Sequence, residues 1–81
     1  MTPQDARRAV AAALTAIVPD ADVDALDEGA PLRDELELDS LDFLSFVEQL
    51  STRAQVRIDE SDYPALATLG SSVAFVVERA A

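Results

Sequence analysis

The chain has 81 residues, 49% of them hydrophobic, which is enough for one small core and too little for two. It contains no cysteine, histidine or lysine, so disulfides, thiolate nucleophiles, Cys/His zinc sites, a Ser-His-Asp triad and Schiff-base chemistry are excluded. Sixteen acids against six arginines leave a net charge of −10, a surface that repels nucleic-acid phosphates and anionic lipid and attracts basic patches on protein partners.

Apolar stretches such as Val10 to Leu14 and Val73 to Val77 fall far short of the ~20 residues that cross a bilayer. The start, Met1-Thr2-Pro3-Gln4-Asp5, lacks the basic region and long apolar run of a signal peptide. The expectation is one domain over residues 1–81, monomeric and cytoplasmic, with no membrane or nucleic-acid partner.

The first helix opens with Thr2 as cap, Pro3 at the first helical position and Asp5 at the positive end. Ala6, Ala9, Val10, Ala13, Leu14 and Ile17 follow the i, i+3, i+4, i+7 rule and predict one apolar stripe. Pro19 predicts its end, since a proline pushes the preceding residue out of helical geometry.

From Asp20 to Leu38 there is no clean period, and Gly29 and Pro31 act as breakers. Nineteen residues is long for a loop in a small domain. The segment Asp20 to Asp42 holds ten acids and a single base, Arg33, yet Val23, Leu26, Leu32, Leu36 and Leu38 interleave with them. An ordered loop is expected, its leucines tucked inward and its acids wet. A calcium loop starting at Asp20 would need glycine at the sixth position and glutamate at the twelfth; the chain has Ala25 and Pro31 there.

A second long helix is predicted from Asp39 or Ser40 to about Ala54. At about 100° per residue, Phe43, Phe46, Val47, Leu50 and Ala54 share an arc that faces the core. Leu41 lies on the far side with Ser45, Glu48 and Thr52, and Leu44 sits at the edge of that face. Val56 and Ile58 are expected to anchor the next connection. A short helical turn follows over Ser61 to Leu66, where Pro64 is tolerable only in the first turn. Thr68 then caps a last helix with Leu69, Val73, Val76, Val77 and Ala80 on one face and Phe75 at the flank. Period-2 alternation is almost absent, so the fold class is all-α, a bundle.

Ser40 stands at the start of the second long helix, in Glu37-Leu38-Asp39-Ser40-Leu41-Asp42-Phe43. From about Leu32 onward the chain resembles an acyl carrier protein. The attachment motif appears as Asp39-Ser40-Leu41-Asp42. Val56-Arg57-Ile58-Asp59 resembles the entry to that family's short third helix, and Thr68-Leu69-Gly70 with Val73, Phe75 and Val76 resembles the start of its fourth.

That resemblance implies a four-helix bundle with a long first loop and a short third helix. It implies that Ser40 receives 4′-phosphopantetheine from coenzyme A through a separate magnesium-dependent phosphopantetheinyl transferase. The chain would then carry acyl groups as thioesters for fatty-acid, lipid or secondary-metabolite synthesis, without being an enzyme itself. Partners would be that transferase, an acyl-loading ligase or transferase, and acyl-processing enzymes with basic docking patches. Asp39, Leu41, Asp42, Leu44 and Glu48 are the candidate partner contacts, and no metal ligand is expected.

The resemblance departs in two places. Glu37 and Leu38 stand where the family often has a glycine and a small residue, which predicts a bulkier approach to Ser40. The family's exposed acids on the second helix are replaced by Ser45, Ser51, Thr52 and Arg53, which predicts a specialised free-standing carrier. Phe43 and Phe46 point to the region where family members store acyl chains; ordinary core packing is the favoured reading, and limited sequestration is the alternative. Two other readings stay open: a peptidyl or aryl carrier, and an unmodified helical interaction module in which Ser40 is incidental.

Overall fold

The structure is a computed structural model that describes residues 1–80. It is an all-helical bundle, as the sequence predicts. The long helices are α1 (Pro3–Ile17), α3 (Ser40–Ala54) and α4 (Leu69–Arg79); a four-residue helix α2 (Leu32–Glu35) interrupts the first loop, and a 3₁₀ helix spans Glu60–Leu66. Helix α1 packs against both α3 and α4, and the 3₁₀ helix packs on α4. Among the described residues no helix is long and apolar enough to cross a membrane.

Helix α1 is capped by Thr2, whose Oγ1 accepts from the Asp5 amide at 3.1 Å, with Pro3 in the first turn. Its buried stripe is Ala6, Ala9, Val10, Ala13 and Leu14, with Ile17 partly covered. The facing arc of α3 is Phe43, Phe46, Val47, Leu50 and Ala54, all buried. Burial of a leucine such as Leu50, fully covered here, contributes about 2 kcal/mol by transfer alone.

The first loop is ordered at several points. Val23 opens a 3₁₀ turn (Val23–Ala25) and is buried, as are Leu32 and Leu38, while Leu26 and Leu36 pack partly against the core. The Leu32 amide donates to the Ala67 carbonyl at 2.9 Å, and the Gly70 amide donates to the Glu28 carbonyl at 2.9 Å. Glu28 is also paired through its side chain to Arg7 of α1, at 2.8 Å. Glycine at position 70 eases this close approach, since a Cβ there would meet the Glu28 carbonyl oxygen at 3.2 Å and the Glu28 Cβ at 3.3 Å, and the loop would have to give by a few tenths of an ångström.

Helix α4 is rotated relative to the predicted stripe. Leu69, Ser72, Phe75 and Val76 are the buried residues, and Val73, Val77 and Ala80 are only partly covered. Ser72 can be buried because its hydroxyl donates to the Thr68 carbonyl at 2.7 Å, satisfying the polar atom. Phe75, expected at the flank, belongs to the core cluster, and the Arg79 guanidinium covers its ring with its carbon 4.7 Å from the centroid.

Arg79 also locks the 3₁₀ helix to α4. Its Nη2 donates to Asp62 Oδ1 at 2.9 Å and its Nη1 to Asp62 Oδ2 at 3.2 Å, while Nη1 reaches the Arg57 carbonyl at 3.0 Å. The Arg79 hydrogen bond, and next the Asp59 amide, hold the Asp62 carboxyl below its usual range.

Two predictions follow from these contacts. Asp62 favours its charged form in the folded state, so its contribution is present above its unfolded-state pKa and disappears as pH falls through the lower folded value. Asp62→Asn should therefore lower the Tm at neutral pH, with the gap to wild type closing in acid; a gap constant down to strongly acid pH would refute the linkage. At the start of α3, Asp39 accepts from the Asp42 amide, so Asp39→Ala should cost about 1 kcal/mol in urea unfolding and Asp39→Asn much less.

Candidate functional site

The site is built where the first loop delivers the chain into α3. Helix α2 ends by a left-handed turn: Glu37 takes a φ of +53°, and the Leu38 amide donates back to the Arg33 carbonyl at 2.9 Å. This is the bonding of a Schellman-type helix end. A side chain in that region costs on the order of 1 kcal/mol relative to glycine. Leu38 does not crowd the approach, because its side chain is buried.

Asp39 and Asp42 then form a reciprocal capping box. Asp39 Oδ1 accepts from the Asp42 amide at 2.8 Å, and Asp42 Oδ2 lies 3.5 Å from the Asp39 amide. Helix α3 starts at Ser40 as a result. The Ser40 side chain is exposed, at a helix end whose first amides have no intrahelical partner. Leu41 is 75% exposed and Leu44 43%, with Ser45 and Glu48 also exposed, so the outward face of α3 is the predicted one.

Ser51 departs from that face. It is half-buried, and its hydroxyl donates to the Val56 carbonyl at 2.6 Å, closing the end of α3 where Gln55 turns left-handed. Thr52 and Arg53 remain exposed.

Beside Ser40 lies an open, mainly apolar cleft of about 340 Å³, lined by Arg33, Ser40, Phe43, Leu44, Tyr63 and Ala67. Its floor is the Phe43 ring, 8% exposed. Tyr63 meets that ring edge-on with centroids 5.4 Å apart, and Phe46 lies beneath it at 6.2 Å. The Arg33 guanidinium carbon stands 5.6 Å from the Phe43 centroid, within cation–π range. Sequence reasoning singled out neither Arg33 nor Tyr63 as a site residue. The lone base among ten acids was the available signal for Arg33; nothing local marked Tyr63, which the 3₁₀ helix brings in from far along the chain.

A phosphodiester on Ser40 fits this setting. The hydroxyl is accessible, the helix end offers unpaired amides and a positive dipole, and Arg33 supplies a cation in the adjoining cleft. A pantetheine arm also supplies the thiol that the chain lacks.

A scan against protein families matches residues 8–76 to the phosphopantetheine attachment site family. A search of curated proteins finds no match. The matched segment contains α2, all of α3 with Ser40 at its first position, and the 3₁₀ helix. Members of this family attach 4′-phosphopantetheine, work with phosphopantetheinyl transferases and acyl-processing enzymes, and are carriers rather than catalysts. The chain belongs to the phosphopantetheine attachment site family and is a phosphopantetheine-dependent carrier.

Proposed function

We propose that residues 1–81 form one acyl carrier domain, cytoplasmic and monomeric, that holds its arm on Ser40. The observation that carries the reading is the exposed Ser40 hydroxyl at the first position of α3, within the matched segment. In loading, the Ser40 oxygen attacks the pantetheine-bearing phosphorus of coenzyme A and gives up its proton. The pyrophosphate bond breaks, and adenosine 3′,5′-bisphosphate leaves. The chain provides no base for this step, so the transferase supplies it together with the magnesium ion.

Asp39 acts as the helix cap rather than as a base, since its carboxylate is engaged with the Asp42 amide. Leu41 and Leu44 offer apolar contacts to partners, and Asp42 and Glu48 offer charge to basic docking patches. The acyl group, once bound as a thioester, is passed to enzymes of fatty-acid, lipid or secondary-metabolite synthesis. Phe43 and Phe46 are buried members of the core, in keeping with ordinary packing; limited sequestration of long acyl chains is the alternative. The sparse acids on the outer face of α3 favour a dedicated set of partners.

The test is intact mass after incubation with coenzyme A, magnesium and a promiscuous phosphopantetheinyl transferase. One arm should add to wild type and none to Ser40→Ala. No addition with two transferases of different specificity would leave an unmodified interaction module as the better account. Because Leu41 is 75% exposed, Leu41→Ala should leave the Tm within a degree or two while raising the transferase KM severalfold, roughly the loss of 1 kcal/mol of apolar contact. Loading by an adenylating ligase with amino or aryl acids, in place of acyl donors, would redirect the assignment to a peptidyl or aryl carrier.

A further inference from the structure

We infer that the cleft beside Ser40 seats the near end of the prosthetic arm, with Arg33 pairing to its phosphodiester and the Phe43, Leu44 and Tyr63 walls covering its dimethyl-branched carbon. The inference rests on the assignment of the arm to Ser40 and adds a role for residues outside the attachment motif.

Three observations carry it. First, Ser40 itself lines the cleft, so whatever is bonded to its oxygen begins at the cleft mouth. Second, the lining matches the order of chemistry along such an arm. An anion comes first and calls for a cation; a compact branched hydrocarbon follows and calls for apolar walls. The cleft offers one guanidinium, two aromatic rings, a leucine and an alanine. Its volume of about 340 Å³ lies at the low end for small-molecule pockets, suited to a short segment rather than an extended chain.

Third, Arg33 is held in place yet left with charge to offer. Among the described residues the ion pairs involve Arg7, Arg8, Arg57 and Arg79, and Arg33 is in none of them. Its Nε lies 3.5 Å from the Leu38 carbonyl and its guanidinium covers Phe43, which leaves the terminal nitrogens available. It is also the single base between Asp20 and Asp42. A new negative charge at Ser40 would otherwise sit among Asp39, Asp42 and the acids of α2, so this cation decides where the phosphodiester settles. Arg33 is thus a positioning residue for the arm.

The experiment uses isotope-labelled protein loaded with unlabelled arm from coenzyme A. Wild type, Arg33→Gln and Arg53→Gln are each driven to full loading and checked by intact mass. Arg53 is exposed on the far end of α3, so its variant controls for the change in net charge. In wild type the two arm methyl signals should be displaced from their position in free coenzyme A and show cross-relaxation to Phe43 and Tyr63 ring protons. Arg33→Gln should lose most of that displacement, and Arg53→Gln should keep it. Methyl signals at the free position in loaded wild type, or equal displacement in Arg33→Gln, would overturn the inference while the arm on Ser40 stood. Absence of the added mass in wild type would instead overturn the assignment of the arm to Ser40.

Discussion

The rotation of α3 against α1 is the constraint on which the rest of this structure depends. Alanines at 6, 9 and 13 give α1 a low ridge, and the large side chains of α3, Phe46 and Leu50 above all, are fully buried against the resulting core. With that arc turned inward, helical geometry sends Leu41, Leu44, Ser45 and Glu48 outward. A slip of α3 about its axis would press Glu48 toward the core and expose a phenylalanine, and burying an unpaired charge is the costlier error. The outward face beside Ser40 is therefore fixed by hydrophobic packing on the opposite side of the same helix.

The capping box completes this arrangement at the helix end. Asp39 and Asp42 satisfy each other's amides, so the chain enters α3 at one defined residue and Ser40 becomes its first. The cost appears one step earlier, where Glu37 adopts a left-handed conformation to let the loop turn into the cap. A glycine there would relax the backbone and widen its freedom; glutamate keeps the approach to Ser40 stiffer.

A carrier with no thiol, imidazole or amine side chain of its own contributes presentation rather than chemistry. Its long acidic loop is more than a spacer in that respect. It is pinned to α4 by the Glu28–Gly70 hydrogen bond, to the end of the 3₁₀ helix by Leu32–Ala67, and to α1 by Arg7, and those anchors set where α2 stands. Since α2 carries Arg33, the loop delivers a cation over Phe43 next to Ser40. Tyr63 arrives from the other side on the 3₁₀ helix, which Asp62 and Arg79 tie to α4.

The amino-acid sequence by itself did not mark the short helix α2 within the first loop, but it determined the three long helices, the cap residues Thr2, Asp39 and Thr68, the buried arcs of α1 and α3 and the exposure of Leu41. All of these follow from local bonding and from 3.6-residue periodicity, which a linear reading resolves. The tertiary structure alone decided the rotation of α4, where a self-satisfied Ser72 and an arginine-covered Phe75 replace Val73 and Val77 as the deeper residues. It also decided that Ser51 closes a helix end, that Glu37 takes positive φ, and that Arg33 and Tyr63 meet at a cleft beside Ser40. These depend on contacts between residues distant in the chain, or on a turn whose strain is set by what it must connect, and no local pattern records either.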